Sequence, residues 1–457
     1  MRQGGSRREG ILGRLVGFPD RRRIGCALLT VGVLPLAWAC GRDEVALEAP
    51  RAEAAEPPAP PGRWRQAPSS EPQVGLSAEQ LAEIEDLEAI GYLSGSVLAS
   101  GRTGVTVLDS ERAHPGLNLV VSGHAPEAYL MDMEGRILHR WARTFDSIWP
   151  QLKVTRKVRK NGHMWRRAHL YPDGDLLAIF EGIGLVRLDR ASGVEWAFGE
   201  NAHHDVDVGP EGRIYVLTRS ARLVPRFHPS KPVLEDFVTV LSPEGDPMRR
   251  VSVLAALADS PFASTLDRAR ATGGDILHTN TVELLDGSQT DRSGAFRRGN
   301  VLVSMRNLDL LAILDLEHEE AVWALTGTWR AQHQPVLLEG GTMLLFDNAV
   351  GRPGGSRVLE LDPLGGEVVW SYEAGPDGRF FSRCCGSNQR LPNGNTLITE
   401  TDYGRAFEVT ADGAVVWEYL SPFRTGGQGE LVASLFEVVR IEPGDLEGGW
   451  LSRNAAP

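Results

Sequence analysis

The chain has 457 residues and a formal charge of −12, with the charged and apolar fractions of an ordinary globular protein. Residues 1–40 carry seven Arg against Glu9 and Asp20, so the remainder is more acidic than the total. Such a surface repels phosphate backbones and argues against nucleic acid as a partner.

In chain order, the first element is an address. Arg21 to Arg23 precede the apolar run from Ile24 to Ala39, which ends in Leu36-Ala37-Trp38-Ala39-Cys40. A charged region, an apolar region and small residues before a break make a secretory signal. Cys40 directly after Ala39 resembles a bacterial lipoprotein cleavage site, which makes Cys40 the expected lipidation position. Otherwise residues 1–40 are a cleaved signal or a marginal anchor. Either way the body is expected to be exported, to the periplasm or cell surface, with membrane attachment through the N-terminus.

Residues 41–75, rich in Ala, Pro and Glu, read as a disordered linker. A docking helix is expected within 76–98. Ser77 and Gln80 form a capping box, Leu76 and Leu81 a staple, and Leu81, Ile84, Leu87 and Ile90 an apolar stripe ending at Gly91. The basic cluster Lys153, Arg156, Lys157, Arg159, Lys160, Arg166 and Arg167 reads as a solvated loop, with an anion-drawing collar as the alternative.

From Leu117 the chain repeats. Trp323, Trp370 and Trp417 are 47 residues apart, and a period of that size with several short strands per unit marks a β-propeller. A turn Gly before a Trp recurs at Gly135 and Trp141, Gly193 and Trp196, Gly366 and Trp370, and Gly413 and Trp417; Trp323 lacks the Gly, and the turn Ser242 to Gly245 lacks the Trp. Together they give six units. A second set of turns, at Gly174, Gly212, Gly287, Gly341 and Gly394, alternates with the first, as antiparallel strands require. The expected fold is therefore all-β: a six-bladed propeller over 105–445, with a partly helical insert at about 255–275 lying over one mouth and a tail at 446–457. The run Leu435 to Ile441 is expected to complete the first blade and close the ring.

The histidines follow the repeat. His204 lies eight residues before Gly212, His333 eight before Gly341 and His278 nine before Gly287. Equivalent positions in neighbouring blades share a radius and a height, so three imidazoles should meet near the axis. Asn280 follows His278 at same-face spacing, and Arg306 lies on the next strand. Neutral imidazole is a nucleophile or base, and Arg beside it makes a site for an anion. A metal site built from the three His with Asp205 or Asp207 is the competing reading; Arg306 counts against it. No cofactor is expected.

The motifs His203-His204-Asp205-Val206, His278-Thr279-Asn280-Thr281, Ser304-Met305-Arg306-Asn307, Gln332-His333-Gln334 and Leu391-Pro392-Asn393-Gly394-Asn395-Thr396 resemble those of the bacterial aryl sulfotransferase family, over about 116–419. The resemblance implies a six-bladed propeller that moves a sulfo group from a phenolic sulfate ester to another phenol without a nucleotide donor. No phosphate-cradling G-x-x-x-x-G-K-[ST] loop is present in the sequence. Carried over by position, His333 would be the nucleophile, His278, Asn280 and Arg306 would hold the sulfo oxygens, and His204 would bind or move a proton. Typical enzymes of that family are exported with a structural disulfide, whereas the body cysteines here are the adjacent Cys384 and Cys385, which bridge only through a strained ring and are expected as free thiols. Two other readings stand beside it: an exported propeller that binds anionic or aromatic ligands or proteins without chemistry, and a metal-dependent hydrolase.

Overall fold

The computed structural model of the protein describes residues 63–65, 75–267, 269, 272–375, 379–447 and 451. The expected signal, Cys40, most of the linker and most of the tail lie outside the described residues.

Six four-stranded antiparallel units form the six blades of the propeller. Blades two to six run from inner to outer strand in chain order, starting at Arg167–Leu170, Ala202–Val208, Thr279–Leu284, His333–Leu337 and Ser387–Arg390. Blade one is assembled from both ends of this region. Its innermost strand, Leu435–Ile441, pairs antiparallel with Leu117–Ser122 and closes the ring. Two outer edges take an extra strand, Gly104–Leu108 on blade six and Arg63–Arg65, in parallel, on blade two. The second falls inside the expected linker. A sheet edge offers free N–H and C=O groups, so backbone alone can dock there and no apolar period marks the segment.

The Trp repeat has a mechanical reason. Register puts Trp196, Trp323, Trp370 and Trp417 at one point of the outer strand, opposite Arg187, Ile313, Glu360 and Glu408, just past a bulge. Three of the indoles donate to a turn of the next blade: Trp196 to the Pro243 carbonyl at 3.2 Å, Trp370 to Ala411 at 2.8 Å and Trp417 to Met133 at 2.9 Å. In blade three that point is Arg249, which donates to the Leu316 and Glu317 carbonyls of blade four, so another long donor takes the place of the missing Trp. In blade one it is His139, opposite Leu130 and 2.8 Å from the Arg190 carbonyl, rather than Trp141. Trp141 donates instead to the Gly174 carbonyl at 3.0 Å.

The capping box forms as expected and starts the helix Ala78–Glu88. Leu81 is 54 % exposed, so the expected staple contributes little. The helix packs on Ile214–Leu223 and Pro232–Leu241, whose far halves extend past the neighbouring strands. Beyond Glu88 the chain is no longer helical and crosses the propeller as a strap. The Arg219 guanidinium donates to the Glu88 and Ile90 carbonyls at one end. Ser434 N–H to Ser94 O at 2.6 Å and Val432 N–H to Val97 O at 3.0 Å tie the other. Gly91 permits the close crossing, because a Cβ there would stand 2.2 Å from Asn161 Oδ1.

The start of the insert wedges into the core. Its helix Val253–Ala258 buries Val253, Leu254, Ala256 and Leu257 in the same core as Val238, Val303 and Leu310. All six of its residues are apolar, so it has no polar face to show to a channel.

Candidate active site

The candidate histidines stand where the chain enters the inner strands of blades three, four and five. His204 (φ +55°), His278 (φ +52°) and Gln334 (φ +48°) are left-handed, beside bulges between Ala202 and Val206, Thr279 and Thr281, and His333 and Val336. Left-handed side-chain residues cost roughly 1–3 kcal/mol each and re-aim neighbours out of strand alternation. His204 and His278 meet, with Nε2 atoms 3.2 Å apart and rings at 80°. The His278 Nδ1–H donates to Asp275 Oδ2 at 2.5 Å. The backbone N–H of His204 donates to Glu181 Oε2 at 3.0 Å, and its Nδ1 lies 2.7 Å from His203 Nδ1.

His333 stands one blade further on. Its Nδ1 faces Asn348 Oδ1 at 2.7 Å and the Ala331 carbonyl at 3.0 Å. The Asn348 amide is itself fixed, since its Nδ2 donates to the Ser382 and Cys385 carbonyls at 2.9 and 2.8 Å. Two acceptors on Nδ1 require the proton there, which leaves the lone pair on Nε2. That nitrogen accepts the Cys385 N–H at 3.2 Å.

His278 and Arg306 line a cavity of about 250 Å³ together with Tyr92, Arg383, Cys384 and Phe436. Asn280 is not on its wall. The bulge at Asn280 breaks the same-face relation to His278, and its Nδ2 donates to the Gln332 carbonyl at 2.8 Å, tying blade four to blade five. Asp205 and Asp207 are likewise committed to the ring. Asp205 accepts from Arg167 Nε at 2.8 Å and Val282 N–H at 3.0 Å, and Asp207 from Leu284 N–H at 2.7 Å, so neither offers a free oxygen to a metal. Among the described residues, one group has metal-ligand spacing: Glu181, His203 and His204, with ligand atoms within 4.8 Å. Arg219 Nη1, 3.3 Å from Glu181 Oε1, already neutralises that carboxylate and competes with an ion.

Two residues were not singled out by the sequence for this site. Arg166, 5 % exposed, lies 4.8 Å from the Tyr92 ring centre and 5.2 Å from that of Phe436. Its signal was in the repeat, for Arg166 stands eight residues before Gly174, the offset of His204 and His333. The basic cluster therefore divides. Lys157 pairs with Asp86 and Arg159 with Asp146 at the surface, while Arg166 and Arg167 turn inward. Tyr92, on the strap, places its hydroxyl on His204 Nε2. Nothing periodic announces it. Cys384 and Cys385 are both free thiols.

Burial is the main cause that holds His203, His204 and His333 well below the ordinary imidazole value of 6.5. Arg219 adds to it at His203, and His278 at His204. At His333 the Asn348 hydrogen bond opposes burial, and Arg166 and Arg306 reinforce it. Asp275 goes the other way from its burial: His278, Arg219 and Arg306 hold its carboxyl below the usual range. Because the unfolded chain takes up protons on these three imidazoles from about pH 6.5 and the folded chain does not, stability is full above that value and falls as the pH drops below it. Each contributes a slope of up to about 1.4 kcal/mol per pH unit. Asp236 and Glu437, pushed up to about 7 by burial, act in the opposite sense over the same range, so the test is a difference: between pH 7.5 and 5.5 a His203→Gln chain is expected to lose less urea midpoint, or gain more, than the parent, and equal slopes would contradict the assignment.

A family model described as Arylsulfotransferase (ASST) matches residues 190–422, the span that holds His204, His278, Arg306 and His333. No curated protein matches the chain. Among solved structures, a protein of unknown function from Bacteroides caccae is similar at a TM-score of 0.47 and 11 % identity, over 71 % of this chain and 98 % of its own. Virginiamycin B lyase from Staphylococcus aureus is similar at 0.39 and 9 %, over 71 % and 90 %. At those scores neither bears on the chemistry. The family match spans half of the sequence and four of the six blades, and by it the chain belongs to the arylsulfotransferase (ASST) family.

Proposed function

We propose that this protein moves a sulfo group from a phenolic sulfate ester to a phenolic acceptor through a sulfo-histidine at His333. The observation that carries the reading is the state of that imidazole: buried, kept neutral, with its Nδ1–H donating to two acceptors and its lone pair therefore at Nε2. Nε2 attacks sulfur, the N–S bond forms, the S–O bond to the aryl group breaks and a phenolate leaves. The acceptor oxygen then attacks the same sulfur, the N–S bond breaks, and the phenolic proton passes to the His204–His278 pair. Arg166 and Arg306 supply fixed positive charge for the sulfo oxygens, and the Cys385 N–H that now caps Nε2 is a donor for one of them once the N–S bond forms. No nucleotide takes part. Export, with the N-terminal segment as signal or lipid anchor at Cys40, belongs to the same proposal.

The cap on Nε2 favours one rival, a propeller that binds aryl anions without turnover, because a nucleophile already hydrogen-bonded must first be freed. Incubation with a chromogenic aryl sulfate decides between them. Phenol release that accelerates when a second phenol is added, with parallel lines in double-reciprocal plots, is the expected result of ping-pong transfer. Tight binding of several aryl sulfates with no phenol released would favour the rival.

A further inference from the structure

The strap carries a phenol of its own into the site. Tyr92 lines the cavity with His278, Arg306 and Cys384, and its hydroxyl rests on His204 Nε2. Its ring is held edge-on by His204 at 5.4 Å and Phe436 at 5.9 Å, with the Arg166 guanidinium at 4.8 Å, which is a seat for an aromatic alcohol. Tyr92 and Cys384 line the same cavity, and the amide of Cys385, next in the chain, donates to His333 Nε2 at 3.2 Å, so the phenol and the nucleophile are linked through two consecutive residues. The strap is tied at both ends, to Arg219 on one side and to Ser434 and Val432 on the other, and so presents this phenol in a fixed position. The other six tyrosines of the chain lie elsewhere; Tyr129 and Tyr419, for example, bond each other at 2.8 Å.

We propose that Tyr92 is itself a sulfo acceptor, becoming a tyrosine O-sulfate when the site is charged and no external phenol is bound. The proposal rests on the sulfo-histidine reading above. In the step, the Tyr92 oxygen attacks the sulfur held on His333, the new O–S bond forms, the N–S bond breaks, and the phenolic proton goes to His204 Nε2. His333 is returned neutral. The product is an aryl sulfate, the class of molecule from which His333 takes a sulfo group, so the modification is reversible and parks one sulfo group at the mouth.

The test treats the full chain with an excess of aryl sulfate and no acceptor, then quantifies the phenol burst and maps the sulfo group by peptide mass spectrometry under alkaline conditions that spare tyrosine O-sulfate. Expected are about two equivalents of phenol per chain and a sulfo group on Tyr92, against about one equivalent and none on the strap for Tyr92→Phe. Equal bursts in the two chains, with sulfo label on His333 alone, overturn the Tyr92 assignment and leave the transferase intact. No burst in either chain overturns both.

Discussion

A His333→Asn chain is expected to lose phenol release from aryl sulfates by on the order of 10⁴-fold or more, because the variant removes the atom that bonds sulfur and not merely a contact to it. Asn in that place keeps a polar group near Asn348 Oδ1 and the Ala331 carbonyl, and it loses the ring nitrogen on which the Cys385 N–H rests. Leaving that buried donor without a partner costs about 1–3 kcal/mol, so the urea midpoint should fall only modestly while turnover vanishes. That split separates a chemical role from a structural one. Arg306→Met, which removes charge at the cavity wall and touches no buried bond of the ring, is expected to keep the midpoint and lower kcat/KM by roughly 10²–10³-fold. If His333→Asn retains a tenth or more of the phenol release, nucleophilic attack by that residue is wrong and the chemistry lies with another group.

What the sequence could and could not reveal follows from which forces leave a period behind. Hairpin turns and outer-strand donors recur because each blade solves the same packing problem, so the six blades and the closing run Leu435–Ile441 were legible. The Trp marker was legible for the wrong reason in blade one, where His139 does the Trp's work two residues before Trp141. It was silent in blade three, where Arg249 bridges the turn. The site itself depends on bulges. A left-handed residue at His204 or His278 destroys the alternation by which Asn280 had been set beside His278, and Asn280 belongs to the ring's stitching instead. Arg166 obeyed the offset used for the histidines and escaped notice because it sat within a run of surface cations. Tyr92 was beyond reach, since a strap that crosses between blades repeats nothing, and only the fold brings it onto His204.

The largest expected effect on stability comes from the closing strand. A chain ending at Ser434 would strip Leu117–Ser122 of its inner partner and leave an open edge on blade one. It would also remove Arg440, whose guanidinium lies 3.1 Å from Glu408 and 2.9 Å from Asn118 Oδ1 with both charges buried, and Glu437, 2.6 Å from Arg167. Glu408 is then left as a buried charge without its cation, at about 3–5 kcal/mol, while Arg167 keeps Asp205 at 2.8 Å. The loss of Leu435, Phe436 and Val438, all buried, adds about 1.5–3 kcal/mol apiece. Together these losses are of the same size as the roughly 5–15 kcal/mol that holds an ordinary domain folded, so the shortened chain should show no cooperative unfolding transition and should self-associate through the exposed edge. Arg440→Met isolates the ion pair from the strand. It leaves the backbone ladder in place and should lower stability by about 3–5 kcal/mol by urea titration, with the rest of the loss appearing only when the strand goes. A shortened chain that unfolds cooperatively at the parent's midpoint would mean that the ring holds without its clasp, and that Gly104–Leu108 and the strap, rather than Leu435–Ile441, bind the ends of the propeller together.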